Sequence, residues 1–223
     1  MTDISLQQLL EAGCHFGHQA RRWNPAMKPY IYGEKDGVHI FDLVKTKTGL
    51  DEAIALVKKL VHDGKVILFV GTKRQAQEIV RREAIRVGMP YLTQKWVGGM
   101  LTNFVQMQKR VLLLKDLKAK REAGELKKYT KLEQLLKDRE IARLEKFLGG
   151  VADMDKLPDA LFIVDTHREE VAVREANKMG ISVIGMVDTN GETRGIDYVI
   201  PINDDAVKSI ELVVSAMADA MKK

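Results

Sequence analysis

Apolar residues along this chain follow two alternating patterns. Short continuous runs, Val66-Ile67-Leu68-Phe69-Val70, Ala160 to Val164 and Ser182 to Val187, have the composition of strands buried on both faces of a parallel sheet. Between them, apolar positions recur every three or four residues, as on one face of a helix. Leu6, Leu9 and Leu10 predict a helix over 5–12 closed by Gly13. Leu50, Ile54, Val57 and Val61 predict one over 48–63 closed by Gly64. Others are predicted over 75–87, 169–179 and 204–222, the last with Val207, Ile210, Val214 and Met217 inward. Tyr30-Ile31-Tyr32 and Val38-His39-Ile40-Phe41 predict a hairpin, whereas 14–25 has loop composition. Tyr91-Leu92 and Tyr198-Val199-Ile200 add two short strands. Strand and helix alternate on both sides of the middle of the chain, which predicts a doubly wound parallel α/β sheet.

The middle breaks this alternation. Phe104, Met107, Val111 and Leu114 step by 3, 4 and 3, and beyond Gly124 a second stripe runs through Leu132, Leu135, Ala142, Leu144 and Phe147. Two helices with one apolar stripe each fold most simply as an antiparallel hairpin, a short coiled coil. The chain thus divides into a discontinuous α/β domain, 1–104 with 149–223, and an inserted hairpin, 105–148. The junction is Gln94-Lys95-Trp96-Val97-Gly98-Gly99-Met100-Leu101-Thr102-Asn103-Phe104. Its glycine pair lets the chain leave the sheet, and Thr102-Asn103 starts the first hairpin helix.

At 223 residues, 45% hydrophobic and 30% charged, the chain has the composition of a globular protein able to bury a full core. No apolar run approaches the roughly 20 residues needed to span a bilayer. Met1-Thr2-Asp3-Ile4-Ser5 lacks a leader pattern, and a lone cysteine, Cys14, excludes an internal disulfide; both fit a reducing cytoplasm. The net charge of +5 is unevenly spread. Residues 1–148 carry 28 Lys and Arg against 17 Asp and Glu, +11, while 149–223 carry 8 against 14, −6. That split suits a chain meeting a polyanion with one part and protein or solvent with the other.

Enzyme chemistry finds little support. The chain has no GxGxxG, no GxxxxGK[ST] and no GxSxG. Gly71-Thr72-Lys73-Arg74, between a strand and a helix, could hold an anion, but one glycine makes a poor cradle. Cys14 has no specified base and reads as a buried, inert thiol. His18 with Asp188, Asp204 and Asp205 could form a structural zinc or magnesium site, because strand ends and helix starts share one edge of such a sheet. Against that, Asp204 and Asp205 are expected simply as cap and first-turn residues of the last helix. Positive charge interleaved with aromatics and amides points more broadly to nucleic acid. The candidate contacts are Arg21, Arg22, Trp23, Asn24, Lys28, Lys73, Arg74, Lys95, Trp96, Thr102, Asn103, Lys109 and Arg110. Lys and Arg neutralise phosphates and Trp can stack on a base, although core packing explains Trp23 and Trp96 as well. Phe16 and Tyr32 are the aromatics that would meet a protein. A nucleotide- or phosphosugar-binding enzyme and a free regulatory RNA-binding protein remain the alternatives.

Leu9-Leu10-Glu11-Ala12-Gly13 followed by His15-Phe16-Gly17-His18, then Arg22-Trp23-Asn24-Pro25, resembles the start of the bacterial ribosomal protein S-two family. Ile67 to Lys73, Trp96 to Phe104, Leu157-Pro158-Asp159-Ala160, Asp188-Thr189-Asn190, Ile196-Asp197-Tyr198 and Asn203-Asp204-Asp205-Ala206 continue it in the family's order. The resemblance implies a flavodoxin-like domain carrying a coiled-coil insertion. It implies no catalysis and no required cofactor. It also implies a cytoplasmic place at the head-body junction of the small ribosomal subunit. The partners would be ribosomal RNA and neighbouring ribosomal proteins, including S-one, with no membrane and no homo-oligomer. Three features depart from the family: Gly191 to Gly195 replaces its Cys-Asp-Pro, Ile202 replaces its glycine, and the sequence stops just after the last predicted helix, without the extension many relatives carry.

Overall fold

The computed structural model describes residues 4–222. Five strands form a parallel sheet: β4 (Ile67–Val70), β5 (Tyr91–Leu92), β6 (Ala160–Val164), β7 (Ser182–Val187) and β8 (Tyr198–Pro201). Their spatial order is β5-β4-β6-β7-β8, which counted from β4 is 2-1-3-4-5, the flavodoxin-like order. The direction of winding therefore reverses between β4 and β6.

A separate antiparallel sheet, ordered β1-β3-β2, joins Phe16–Gln19, Ile31–Lys35 and Val38–Phe41 as β1, β2 and β3. The sequence predicts a loop where β1 lies. Its register against β3 is irregular between Phe16 and Gln19, so it lacks the regular alternation that marks a strand.

Helices cover both faces of the parallel sheet. Along β6, Ala160, Phe162 and Val164 enter one apolar cluster while Leu161 and Ile163 enter the other, as alternating side chains must. The first cluster is closed by α1 (Leu6–Glu11), α2 (Leu43–His62), α3 (Gln77–Arg86) and α7 (Val207–Asp219). The second is closed by α6 (Glu170–Met179), by the junction residues Trp96, Met100 and Leu101, and by α4 (Phe104–Glu122) and α5 (Lys131–Leu148). Burying a Val, Leu, Ile or Phe side chain fully contributes about 1.5–3 kcal/mol relative to exposure, and Leu161 to Val164 are all of this kind, so β6 anchors both layers.

Helix ends depart from expectation where side chains compete. Asp42 accepts from the Val44 N–H at 3.0 Å, which starts α2 at Leu43, five residues early. Asn203 accepts from the N–H groups of Asp205 (2.9 Å) and Ala206 (3.1 Å), so α7 begins only at Val207. Asp204 and Asp205 thus precede the helix, and Val207 is exposed rather than inward.

α4 and α5 pack against each other, joined through a 3-10 turn at Glu125–Lys128. Their buried residues are Met107, Leu114 and Leu117 on α4 and Ile141, Leu144 and Leu148 on α5. Leu132 and Leu135, expected in the seam, are exposed. The surface of these helices also carries Leu112, Leu113 and Leu136, so hydrophobicity alone does not identify the inner face.

Candidate functional site

The junction is organised by one carboxylate from elsewhere in the chain. Glu175, on α6, accepts hydrogen bonds from Trp96 Nε1 at 3.1 Å and the Gly99 N–H at 2.7 Å through Oε1. Its Oε2 accepts from the N–H groups of Leu101 and Thr102 at 3.0 and 3.1 Å, and from the Thr102 hydroxyl at 3.1 Å. Burial would raise the Glu175 pKa, but the donors around it outweigh burial and hold it below the ordinary glutamate value. Three converging backbone N–H groups make a small anion nest, filled by the chain's own side chain.

This corrects the reading of several junction residues. Trp96 is 7% exposed with its indole N–H committed to Glu175, so it is a wall of the core rather than a free stacking platform. The Thr102 hydroxyl is likewise occupied, and the helix start at Asn103 has no side-chain cap bond. The glycine pair also divides: Gly99 has φ +88°, a conformation that disfavours side chains, whereas a Cβ on Gly98 would meet nothing within 4 Å. Lys95 and, on α4, Lys109 and Arg110 are exposed.

A second constellation lies at the winding reversal, where β4 and β6 end. In doubly wound sheets this crevice holds the ligand. Here Lys73, just after β4, fills it with its own ammonium group, 2.5 Å from Asp204 and Asp205 oxygens and 3.4 Å from Asp165. Beside it, Thr72 donates to Glu169 and accepts from Arg168 Nε at 2.9 Å. Burial works against the charged form of Lys73, yet the surrounding carboxylates, Asp204 foremost, keep its pKa above the ordinary lysine value. Burial, and then the neighbouring Asp188 and Asp165, raise the Asp204 pKa as well, against the opposing pull of the Lys73 ammonium. Lys73 is therefore a brace, its ammonium engaged by three carboxylates of the same chain, while the adjacent Arg74 is exposed.

The residues expected around a metal come together only in part. His18 Nδ1 lies 2.9 Å from Asp188, and Nε2 lies 3.5 Å from Asp205. One ligand atom from each of these three residues fits within a 4.8 Å cluster. Asp204 is drawn away by Lys73 and does not join them. Asp188 raises the His18 pKa despite burial, which favours an imidazolium ion pair. The cluster also ties β1 to the end of β7, since the His18 N–H donates to the Thr189 hydroxyl at 2.8 Å.

The N-terminal basic loop is partly structural. Asn24 accepts from the Ala26 N–H at 2.9 Å and donates its own N–H to the Thr189 carbonyl at 2.7 Å, which fixes the turn. Trp23 is half-buried with its ring 5.3 Å from that of His39. Arg21, Arg22 and Lys28 remain exposed around it. Phe16 and Tyr32 are 49% and 82% exposed on the antiparallel sheet. Sequence reasoning missed Glu175 altogether. A glutamate inside a regular helix has no local signal, and its donors lie more than 70 residues away.

A family model described as Ribosomal protein S2 matches residues 9–223. The chain is 55% identical over 217 residues to the small ribosomal subunit protein uS2 of Roseiflexus sp. (strain RS-1), covering 97% of this chain and 83% of that protein. It is 53% identical over 221 residues to the protein of the same name from Coprothermobacter proteolyticus, covering 99% and 82%. With a flavodoxin-like sheet whose ligand crevice is braced from within, and relatives of this identity along nearly its whole length, the chain belongs to the ribosomal protein S2 family.

Proposed function

We propose that this chain is a structural constituent of the small ribosomal subunit in the cytoplasm, that it binds ribosomal RNA, and that it supports translation in this way. The family is structural and has no enzymatic activity. The observation that carries the RNA reading is the charge split, +11 over 1–148, together with the exposure of Arg21, Arg22, Lys28, Arg74, Lys95, Lys109 and Arg110 within that segment. In this reading those side chains neutralise phosphates, while Asn24, Trp96 and Thr102 shape the loops that present them. The proposed place is the head-body junction. The α/β part, 1–104 with 149–223, seats the protein there, and residues 105–148 extend from it as an inserted antiparallel coiled coil. Exposed Phe16 and Tyr32 offer apolar area to neighbouring proteins, including S-one, and the protein works as a single copy. Added to small subunits depleted of this protein, the chain is expected to co-sediment with them through a sucrose gradient in moderate salt. Retention at the top of the gradient refutes the reading.

A narrower reading concerns His18, Asp188 and Asp205. One imidazole and two carboxylates within 4.8 Å suit zinc or, less well, magnesium, which would tie β1 to the edge of the parallel sheet. Asp204 takes no part. Zinc must displace the His18 proton, so stabilisation by zinc in a thermal melt should grow from pH 6 to pH 8 and vanish in His18→Ala. A melting temperature indifferent to zinc at both pH values rules the site out.

A further inference from the structure

Between the junction and the helix pair lies an open cleft of about 500 Å³, within the range of small-molecule sites. Its walls bring together three cations from three elements: Lys95 from the junction, Arg110 from α4 and Arg143 from α5. No carboxylate lines it. Among the described residues, none of these three cations has an acidic partner, whereas Lys115, Lys118 and Lys120 on α4 are each paired, with Asp153, Glu145 and Asp116. Gathering unpaired like charges is unfavourable, and an anionic occupant relieves it.

The remaining lining is apolar. Val97, Leu144 and Phe147 form a wall, with Val97 and Phe147 half-buried and so still open to contact, and the buried Trp96 also lines the cleft. Cations beside an apolar and aromatic wall match a nucleotide, which carries a phosphate and a flat base on one unit. A duplex cannot use both features, because its bases are stacked inside and only its phosphates reach the cations.

We propose that this cleft binds one unpaired nucleotide of RNA, with its base against Phe147 and Val97 and its phosphates on Lys95, Arg110 and Arg143. The proposal rests on the RNA reading above and narrows it to a place and to single-stranded RNA. It predicts a particular division of labour. Phe147 supplies affinity that salt does not touch, and the three cations supply affinity that salt weakens.

The test uses the full chain and fluorescence anisotropy with a labelled ten-nucleotide RNA, either single-stranded or as its duplex. The single strand is expected to bind more tightly. Phe147→Ala should weaken single-strand binding about tenfold or more while leaving duplex binding and the salt slope unchanged. Arg143→Gln should lower the slope of log affinity against log salt by about 0.7. Phe147→Tyr should restore binding. Should Phe147→Ala unfold by circular dichroism, Arg143→Gln decides, because its side chain is exposed and outside the core. If wild type binds RNA but neither variant changes single-strand binding, the cleft proposal falls and the RNA reading stands. If wild type binds neither form, both fall. Displacement of the RNA by hexaglutamate as effective as by unlabelled RNA overturns the nucleotide in favour of an acidic peptide.

Discussion

The Glu175 carboxylate illustrates how much one side chain can organise. It accepts five hydrogen bonds from four residues, three of them from backbone N–H groups that no helix or strand would otherwise satisfy. Leaving buried donors unmade costs about 1–3 kcal/mol each, so the loss is set by how many can reach water after a substitution. Glu175→Gln is isosteric, but it presents an amide donor to two of those N–H groups. Urea melts should show it less stable by about 2–3 kcal/mol at neutral pH. The pH dependence has a definite sign. The folded-state pKa lies below the ordinary value, so the contribution is present at neutral pH and is lost as pH falls through the acid range where the carboxylate protonates. The difference between wild type and Glu175→Gln should therefore shrink on acidification. A gap that is constant from pH 7 to pH 3 contradicts the assignment.

Among the elements, the parallel strands were the most legible in sequence. Val66 to Val70, Ala160 to Val164 and Ser182 to Val187 are continuous apolar runs, because both faces of the sheet are covered, and the observed strands match them closely. β1 was hidden because its pairing with β3 is irregular, and the inner faces of α4 and α5 were blurred by exposed leucines. Asp204 reads as a helix start, yet Asn203 holds the turn before α7 and Asp204 pairs with Lys73 instead. Of the residues expected to meet RNA, the exposure of the arginines and of most lysines was readable from charge alone. Lys73 and Trp96 were not, since their partners lie 131 and 79 residues away. α2 adds a testable case. Gly49 sits inside this 20-residue helix, where alanine would ordinarily gain about 1 kcal/mol, but a Cβ there would run into the Val199 carbonyl of β8. Gly49→Ala should thus lower the melting temperature despite its better helix propensity. An unchanged or raised melting temperature shows that the helix shifts to make room.

Across the whole molecule, charge and packing divide the chain differently. Charge separates 1–148 from 149–223, but the apolar layer of α4 and α5 runs without a break into Trp96, Leu161 and α6. The basic part therefore packs on the acidic part. The brace at the winding reversal has the same character, with Lys73 from the basic segment held by Asp165, Asp204 and Asp205 from the acidic one. At the junction and at this brace, neither segment completes its polar contacts alone.

That interdependence has a consequence in time. A chain made from its N-terminus emerges with the junction and both helices of 104–148 long before Glu175, 76 residues after Gly99, exists to gather them. Until then the backbone donors of the nest have no partner, and the helix pair hangs from an unfastened strap. Full-length Glu175→Ala should be cut more readily by protease between 95 and 103 than wild type, which resists there. Equal protection in both would mean that the strap closes without its carboxylate. If it does not, α6 acts as the latch, and the last third of synthesis sets the moment at which the basic face of the protein takes its shape.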